Sequence, residues 1–417
     1  MARVFPFQAY RYSQQAGPLE LLATQPYDKI TPEMRARYLA LNPYNAVRII
    51  LGERFASDTP ENNVYTRARR YLEDWIAGGI LVREAEPCLF AYSQEFADPE
   101  TGQRLVRHGF IGSGAVEDYS EGVVHRHEQT LSGPKQDRLE LLRHTRAHFG
   151  PIFMLYPDPE GRIDVLLKDV SRREPLVSIL DEYQARHSLW RIREPECITW
   201  FQRQMSDQKL LIADGHHRYE TALAFRNEHP ELAGAGKVMM TFVNMHSPGL
   251  RILATHRVVR GLPGFDAESF LRRAQEAGFY PHPGETLEHL RALWAERHPG
   301  RVKIGVALAG SDTLYRLAGN RPAGELYLKI LHEKLLGDVL GISEQAVREE
   351  KHLRYVRGLE AAVAEVRRGD AQIAFLVEPT AIEDVARVAF SGGVMPQKST
   401  DFYPKLLSGL TIYRLEE

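Results

Sequence analysis

The 417-residue sequence is short of cysteine, of net charge and of long apolar runs, and each shortage removes a class of protein. Its two cysteines, Cys88 and Cys197, stand far apart with no partner at metal-ligand spacing. That excludes a disulfide framework and a Cys-type zinc site and fits a reducing cytoplasm. Lys plus Arg number 53 against 55 Asp plus Glu, a formal net of -2. No bulk field therefore draws the chain to nucleic acid or to acidic membrane. No uninterrupted apolar stretch approaches a bilayer span, and the opening Met-Ala-Arg-Val-Phe-Pro-Phe lacks the apolar core of a signal peptide. What the chain does have is 43% hydrophobic residues, enough over this length for two or three cores.

Apolar residues at helical spacing from Val64 to Ile76 predict an amphipathic helix stopped by Gly78-Gly79. Cys88–Tyr92 and Val106–Ile111, separated by the turn-forming Asp98–Gly102, predict a hairpin. Residues 209–245 show the clearest pattern: apolar Leu210–Ala213, a polar turn, a helix from about Arg218 to Asn227, then apolar Val238–Val243. Gly261-Leu262-Pro263-Gly264 punctuates the chain, after which helices alternate with strands such as Val302–Val306 and Ile373–Val377. The expectation is an α/β protein with mixed sheets, in two parts, 1–260 and 261–417.

The segment Asp214-Gly215-His216-His217-Arg218 lies between a buried strand and a helix start. A helix N-terminus offers unpaired N–H groups and partial positive charge, Gly215 permits close backbone approach, and Arg218 supplies a planar donor fork. These residues suit a phosphate. Asp214 suits either a helix cap or a general base toward a substrate hydroxyl.

In His125-Arg126-His127-Glu128-Gln129-Thr130 the second histidine of a zincin pattern is missing, which leaves Glu128 as a carboxylate for magnesium or for proton handling. A solvated turn is the plainer reading. Gly392–Ser399 falls one residue short of a P-loop, with Gln397 for the second glycine, a helical segment before it and Pro396 removing a donor. Lys398, Ser399 and Thr400 could still hold an anion from a loop and close over the Asp214 site. Leu331–Glu350 has the outline of a helix-turn-helix, but Glu344, Glu349 and Glu350 on its second helix would repel phosphates. Packing helices are the default there.

Several stretches together resemble domain of unknown function family 1015: Gln25-Pro26-Tyr27-Asp28, Asn42-Pro43-Tyr44, His127–Thr130, Asp214–Arg218, Thr255-His256-Arg257, Met395–Thr400 and Phe402-Tyr403-Pro404-Lys405. Locally, Asp214–Arg218 also resembles the signature of the ParB/sulfiredoxin-like superfamily, which includes free serine kinases. That resemblance implies a ParB/sulfiredoxin-like core and a nucleotide and substrate pocket at this segment. It further implies phosphotransfer between ADP or ATP, with Mg²⁺, and a small hydroxylated metabolite, serine or phosphoserine first. Asp214 would act on the hydroxyl proton, His216, His217 and Arg218 on phosphate oxygens, and Glu128 on the metal. A phosphoserine phosphatase in the same pocket is the alternative within enzymes, and a non-catalytic ParB-like nucleotide- or DNA-associated module the alternative outside them.

Overall fold

The computed structural model describes residues 1–128, 132–296 and 300–415, and the chain divides into one unit of Met1–Arg251 with Pro404–Glu417 and a second of Ile252–Tyr403. The fold is α/β with mixed sheets. The first unit is built on nine strands: β1 (Val4–Phe5), β2 (Leu89–Ala97), β3 (Arg104–Ala115), β4 (Val124–His125), β5 (Ile152–Tyr156), β6 (Val177–Leu180), β7 (Arg186–Ile192), β8 (Leu210–Asp214) and β9 (Lys237–Asn244). In space they run β4-β8-β5-β9-β3-β2-β7-β6, with β1 pairing β3.

The hairpin β2–β3 forms where the sequence predicts it. Asp98 Oδ1 accepts from the backbone N–H groups of Glu100 and Thr101, and Gly102 takes the left-handed conformation (φ 72) that the turn needs. At the other side of the sheet β8 runs parallel to β4 and antiparallel to β5, and its register slips between Ile212 and Asp214. A bulge there bends the strand and re-aims the side chain that follows it.

The helices of this unit include α1 (Val64–Ala77), α2 (Ser132–Thr145), α3 (Pro195–Ser206) and α4 (His216–Glu228). Asn63 and Thr66 close α1 with a reciprocal capping box, and Ala68, Leu72 and Trp75 bury its apolar face against Leu141 of α2 and Phe149. Phe201 and Met205 of α3 share a larger core with Tyr219 and Ala222 of α4 and with Phe110, Met154, Ile212 and Phe242 from the sheet. Full burial of a side chain of this kind contributes about 1.5–3 kcal/mol.

The second unit carries a six-stranded sheet of β10 (Thr255–Val259), β11 (Tyr280–Glu285), β12 (Arg301–Leu308), β13 (Leu314–Asn320), β14 (Leu353–Arg357) and β15 (Ile373–Leu376), in the order β11-β13-β12-β15-β10-β14. Leu331, Leu335, Leu336 and Val339 lie in its core, so this part of the helix-turn-helix outline is packing surface. Among the described residues no helix is long and apolar enough to cross a membrane.

Two boundaries differ from the sequence reading. The Gly261–Gly264 cluster does not separate the units: it is a turn inside the second, with Gly261 and Gly264 left-handed and the Leu262 backbone held on both sides by the Gln372 amide. Strand β10 comes before that turn, which moves the division back to Arg251/Ile252, and residues 404–417 return to the first unit. Helix α4 begins at His216, not near Arg218, because left-handed Gly215 (φ 96) completes the turn immediately after the strand.

Candidate active site

Asp214 closes strand β8 and does not cap α4; the N-cap residue is Gly215, which has no side chain to cap the helix. A Cβ at Gly215 would stand 2.9 Å from the Arg218 guanidinium, so the glycine serves both the turn and the close approach of that side chain. Asp214 Oδ2 accepts from Arg218 at 2.9 Å, and Oδ1 accepts from Lys405 Nζ at 3.0 Å. The aspartate is 19% exposed at its side chain, the arginine 14% and the lysine 9%. Burial would push the carboxyl up, but Lys405, then Arg218 and Lys29, outweigh it and hold Asp214 well below the usual carboxylate range.

Lys405 is positioned from behind. Gln94 on β2 donates its amide to the Lys405 carbonyl at 2.9 Å, and Arg107 on β3 donates to the Pro404 carbonyl at 2.5 Å and to Gln94 Oε1 through Nε at 3.0 Å. The Arg107 guanidinium is fully buried, lies 4.7 Å from the centre of the Phe153 ring, and is pushed down by burial to about 10. Arg218 also donates to the Pro151 carbonyl at 2.5 Å, while its Nε is buried with no partner among the described residues. Gly150 makes room for it: a Cβ there would stand 3.2 Å from the Arg218 terminal nitrogen and 2.7 Å from Ser408 Oγ.

Two buried histidines adjoin the carboxylate. His127 donates from Nδ1 to the Ile212 carbonyl at 2.9 Å, an assignment that leaves Nε2 as the acceptor, 3.9 Å from Glu128 Oε1. Its ring meets that of His216 edge-on, with centroids 4.8 Å apart. Burial lowers both, His216 well below the ordinary histidine range, so both imidazoles are neutral near pH 7. His216 Nε2 is buried without a partner among the described residues. His217 is half-buried beside it. His216 is thus suited to hydrogen bonding, not to charge neutralisation. Gln129 and Thr130 lie outside the described residues.

Beside Arg218 opens a cavity of about 60 Å³ lined by Tyr27, Arg138, His148, Thr221 and Ser408 together with apolar side chains. Arg138 sits 4.2 Å from the centre of the Tyr27 ring. Burial pushes the Tyr27 hydroxyl up to about 12, and burial with Arg218 nearby pushes His148 down to about 4. Cationic Arg218, neutral His148 and hydroxyl groups thus share one small space with apolar walls.

The expected anion loop belongs to the second unit. Arg257 on β10, also fully buried, donates to the backbone carbonyls of Gln397 and Lys398 at 3.3 and 3.1 Å and to His332 Nε2 at 3.3 Å. Lys398 is exposed and left-handed (φ 55). Ser399 is buried and spends its hydroxyl on the Pro396 carbonyl within the loop, while its own carbonyl accepts from Thr380. Thr400 is half-buried. Within the stretch Thr255-His256-Arg257 it is thus Arg257 that holds this loop, with a further guanidinium nitrogen on the Thr255 carbonyl.

Of the residues singled out by sequence, Asp214, Gly215, His216, His217, Arg218 and Glu128 all belong to the first unit, whereas Lys398, Ser399 and Thr400 belong to the second. The sequence reading missed Lys405, its supports Arg107 and Gln94, and the role of His127 in packing on His216. Lys405 stood within a recognised stretch, Phe402-Tyr403-Pro404-Lys405, without a role. Among the described residues no three His, Cys, Asp or Glu side chains converge as a metal site. Both Asp214 oxygens face cations.

Over residues 4–335 the sequence matches the family described as protein of unknown function (DUF1015), and the chain belongs to that family. No curated protein matches it. Solved structures similar to it include a mutant free serine kinase in complex with ADP, at 12% identity, TM-score 0.37, covering 70% of this chain and 89% of that one. A conserved hypothetical protein from Pyrococcus furiosus gives 13% identity, TM-score 0.34 and coverage of 68% and 90%. C-terminally truncated SbnI from Staphylococcus aureus gives 13% identity, TM-score 0.34 and coverage of 72% and 85%.

Proposed function

We propose that this protein is a phosphotransferase that moves a phosphoryl group between a nucleotide, ADP or ATP, and a small hydroxylated metabolite, with serine and phosphoserine the first pair to test. The observation that carries the reading is the Lys405–Asp214–Arg218 cluster at the start of α4, where two cations and a helix N-terminus surround one carboxylate. The local resemblance of Asp214–Arg218 to the free serine kinase signature supplies the substrate class.

In the ligand-free arrangement Asp214 neutralises both cations and is a weak base. A phosphate that draws Lys405 and Arg218 onto its own oxygens returns basicity to Asp214 just where the substrate hydroxyl must lose its proton. Phosphoryl transfer asks mainly for positioning and charge stabilisation, and those are what two fixed cations and neutral His216 provide. Magnesium, held by Glu128 and phosphate oxygens, would neutralise charge on the nucleotide. The small cavity bounded by Tyr27, His148 and Ser408 suits the metabolite.

The test is turnover of phosphoserine with and without ADP in the presence of Mg²⁺. Phosphoserine loss that depends on ADP and yields ATP supports the kinase; phosphate released at the same rate without nucleotide replaces it with a phosphatase. Asp214→Asn should keep the fold and lower turnover on the order of a hundredfold or more, since an amide is no base. Near-normal turnover in a folded Asp214→Asn protein removes the base role.

A further inference from the structure

We propose that the cavity beside Arg218 takes a small hydroxy acid, a carboxylate that carries hydroxyl groups and no ammonium, in preference to an amino acid. This rests on the phosphotransferase reading for making that compound the partner of the nucleotide; the binding preference stands on the cavity alone. Tyr27, His148 and Ser408 line the space. The Tyr27 hydroxyl, the His148 imidazole and the Ser408 hydroxyl have no hydrogen-bond partner among the described residues. Such groups in an apolar-walled space are satisfied by water or by a ligand with matching hydroxyls, and neutral His148 offers one donor and one acceptor. Gly150 keeps the space open, since a Cβ there would stand 2.7 Å from Ser408 Oγ and 3.2 Å from Arg218 Nη1.

The charges decide which hydroxylated compound fits. Arg138 and Arg218 line the cavity, and among the described residues no carboxylate does. The carboxylates nearby are engaged or turned away. Asp137 accepts from Arg54, Tyr65 and Arg138, and Asp214 stands between Lys405 and Arg218. Asp28, whose charge also acts on Tyr27, is exposed. Arg138 commits three of its five N–H groups, two to Asp137 and one to the Ile50 carbonyl at 2.6 Å, which leaves two for an anion. An ammonium ion would enter without a counter-charge, next to two guanidinium groups, and would lose its water for nothing in return. His148 feels the same field: burial and Arg218 keep the proton off its ring, and they act on any further cation in the same sense.

Glycerate is serine with a hydroxyl in place of the ammonium, so the pair isolates the charge. Titration calorimetry of the wild type with glycerate, serine and ethanolamine, at fixed ionic strength and without nucleotide, reads the preference. Glycerate should bind about tenfold or more tightly than serine, and ethanolamine, which keeps the ammonium and lacks the carboxylate, should not bind. Ser408→Ala should weaken glycerate severalfold at an unchanged melting temperature, because that hydroxyl bonds nothing in the fold. Ser408→Asp supplies the missing carboxylate and should move the preference toward serine. Serine bound as tightly as glycerate, no glycerate binding at millimolar concentration, or a glycerate affinity untouched by Ser408→Ala overturns the inference. Turnover is read separately. ADP-dependent loss of phosphoserine by a protein that does not bind glycerate keeps the kinase and removes the hydroxy acid. Glycerate bound, with no nucleotide-dependent turnover of any of these compounds, keeps the cavity's preference and removes the kinase.

Discussion

The two units use one device and reach different ends. Arg107 in the first and Arg257 in the second are both fully buried, both lie near an aromatic ring, Phe153 or Tyr355, and both spend donors on loop carbonyls next to or at a lysine. After Pro404 the chain turns Lys405 inward onto Asp214; at Lys398 it leaves the ammonium exposed on a left-handed residue. The supports are alike, so what separates the two lysines is the carboxylate. A braced loop shows that a backbone is held, and only the partner of the side chain it carries shows what the holding is for.

The sharpest test of that difference is to remove each ammonium in turn. Lys405→Met removes the largest of the cationic influences on Asp214, and should lower unfolding free energy in urea by about 3–5 kcal/mol and turnover by on the order of a hundredfold. Lys398→Met should stay within about 0.5 kcal/mol of wild type. Equal stability losses would erase the contrast between the loops.

Acid comes next in size. His148 sits at about 4 in the first unit, and His256 and His332 at about 3 in the second, all below the 6.5 of an exposed histidine. The unfolded chain therefore binds protons that the folded one refuses: the histidine contribution is intact above about pH 6.5 and is lost as pH falls toward those lower values. Asp214, depressed instead from a carboxylate value, keeps its contribution until pH falls below about 4, so it plays no part in that window. His148→Asn should remove about 2 kcal/mol of the stability lost between pH 7.5 and pH 5, read from urea melts at the two values. An unchanged pH slope would mean that His148 is protonated in the fold.

The smallest effect has the opposite sign. Lys398→Gly relieves a left-handed residue and should stabilise the second unit by about 0.5–1 kcal/mol, seen as a higher melting temperature. A phosphate-binding role for Lys398 predicts, in addition, that nucleotide affinity falls about tenfold or more in the same variant. A stabilised protein with unaltered affinity assigns the loop to structure alone.

The strand–turn–helix unit around Asp214 was legible because its signals are local: an apolar run, a glycine, then polar residues opening a helix. What Asp214 does between its neighbours was not, since its second cation comes from 191 residues away. Lys398 drew attention through a Gly-Gly pair, Pro396 and adjoining hydroxyls, whereas Lys405 follows aromatic residues that resemble ordinary packing. One clue lay in strand β3, where Val106 is 43% exposed while the neighbouring Arg107 is 1% exposed. An arginine on the inward face of a strand breaks the usual alternation and marks a buried acceptor in need of a donor. The division between units escaped for a related reason: glycine and proline mark a turn, and a turn inside a unit reads the same as one between units.

Lys405 also sets an order of events during synthesis. Asp214 and Arg218 leave the ribosome long before it, and the whole of Ile252–Tyr403 is translated in between. At about 5–20 residues per second that interval is roughly 10–40 s, during which the first unit's sheet can form while its carboxylate still lacks Lys405. The nascent protein thus holds an incomplete Asp214 cluster until the second unit has been made, and an early-terminated chain would carry Asp214 and Arg218 without their lysine.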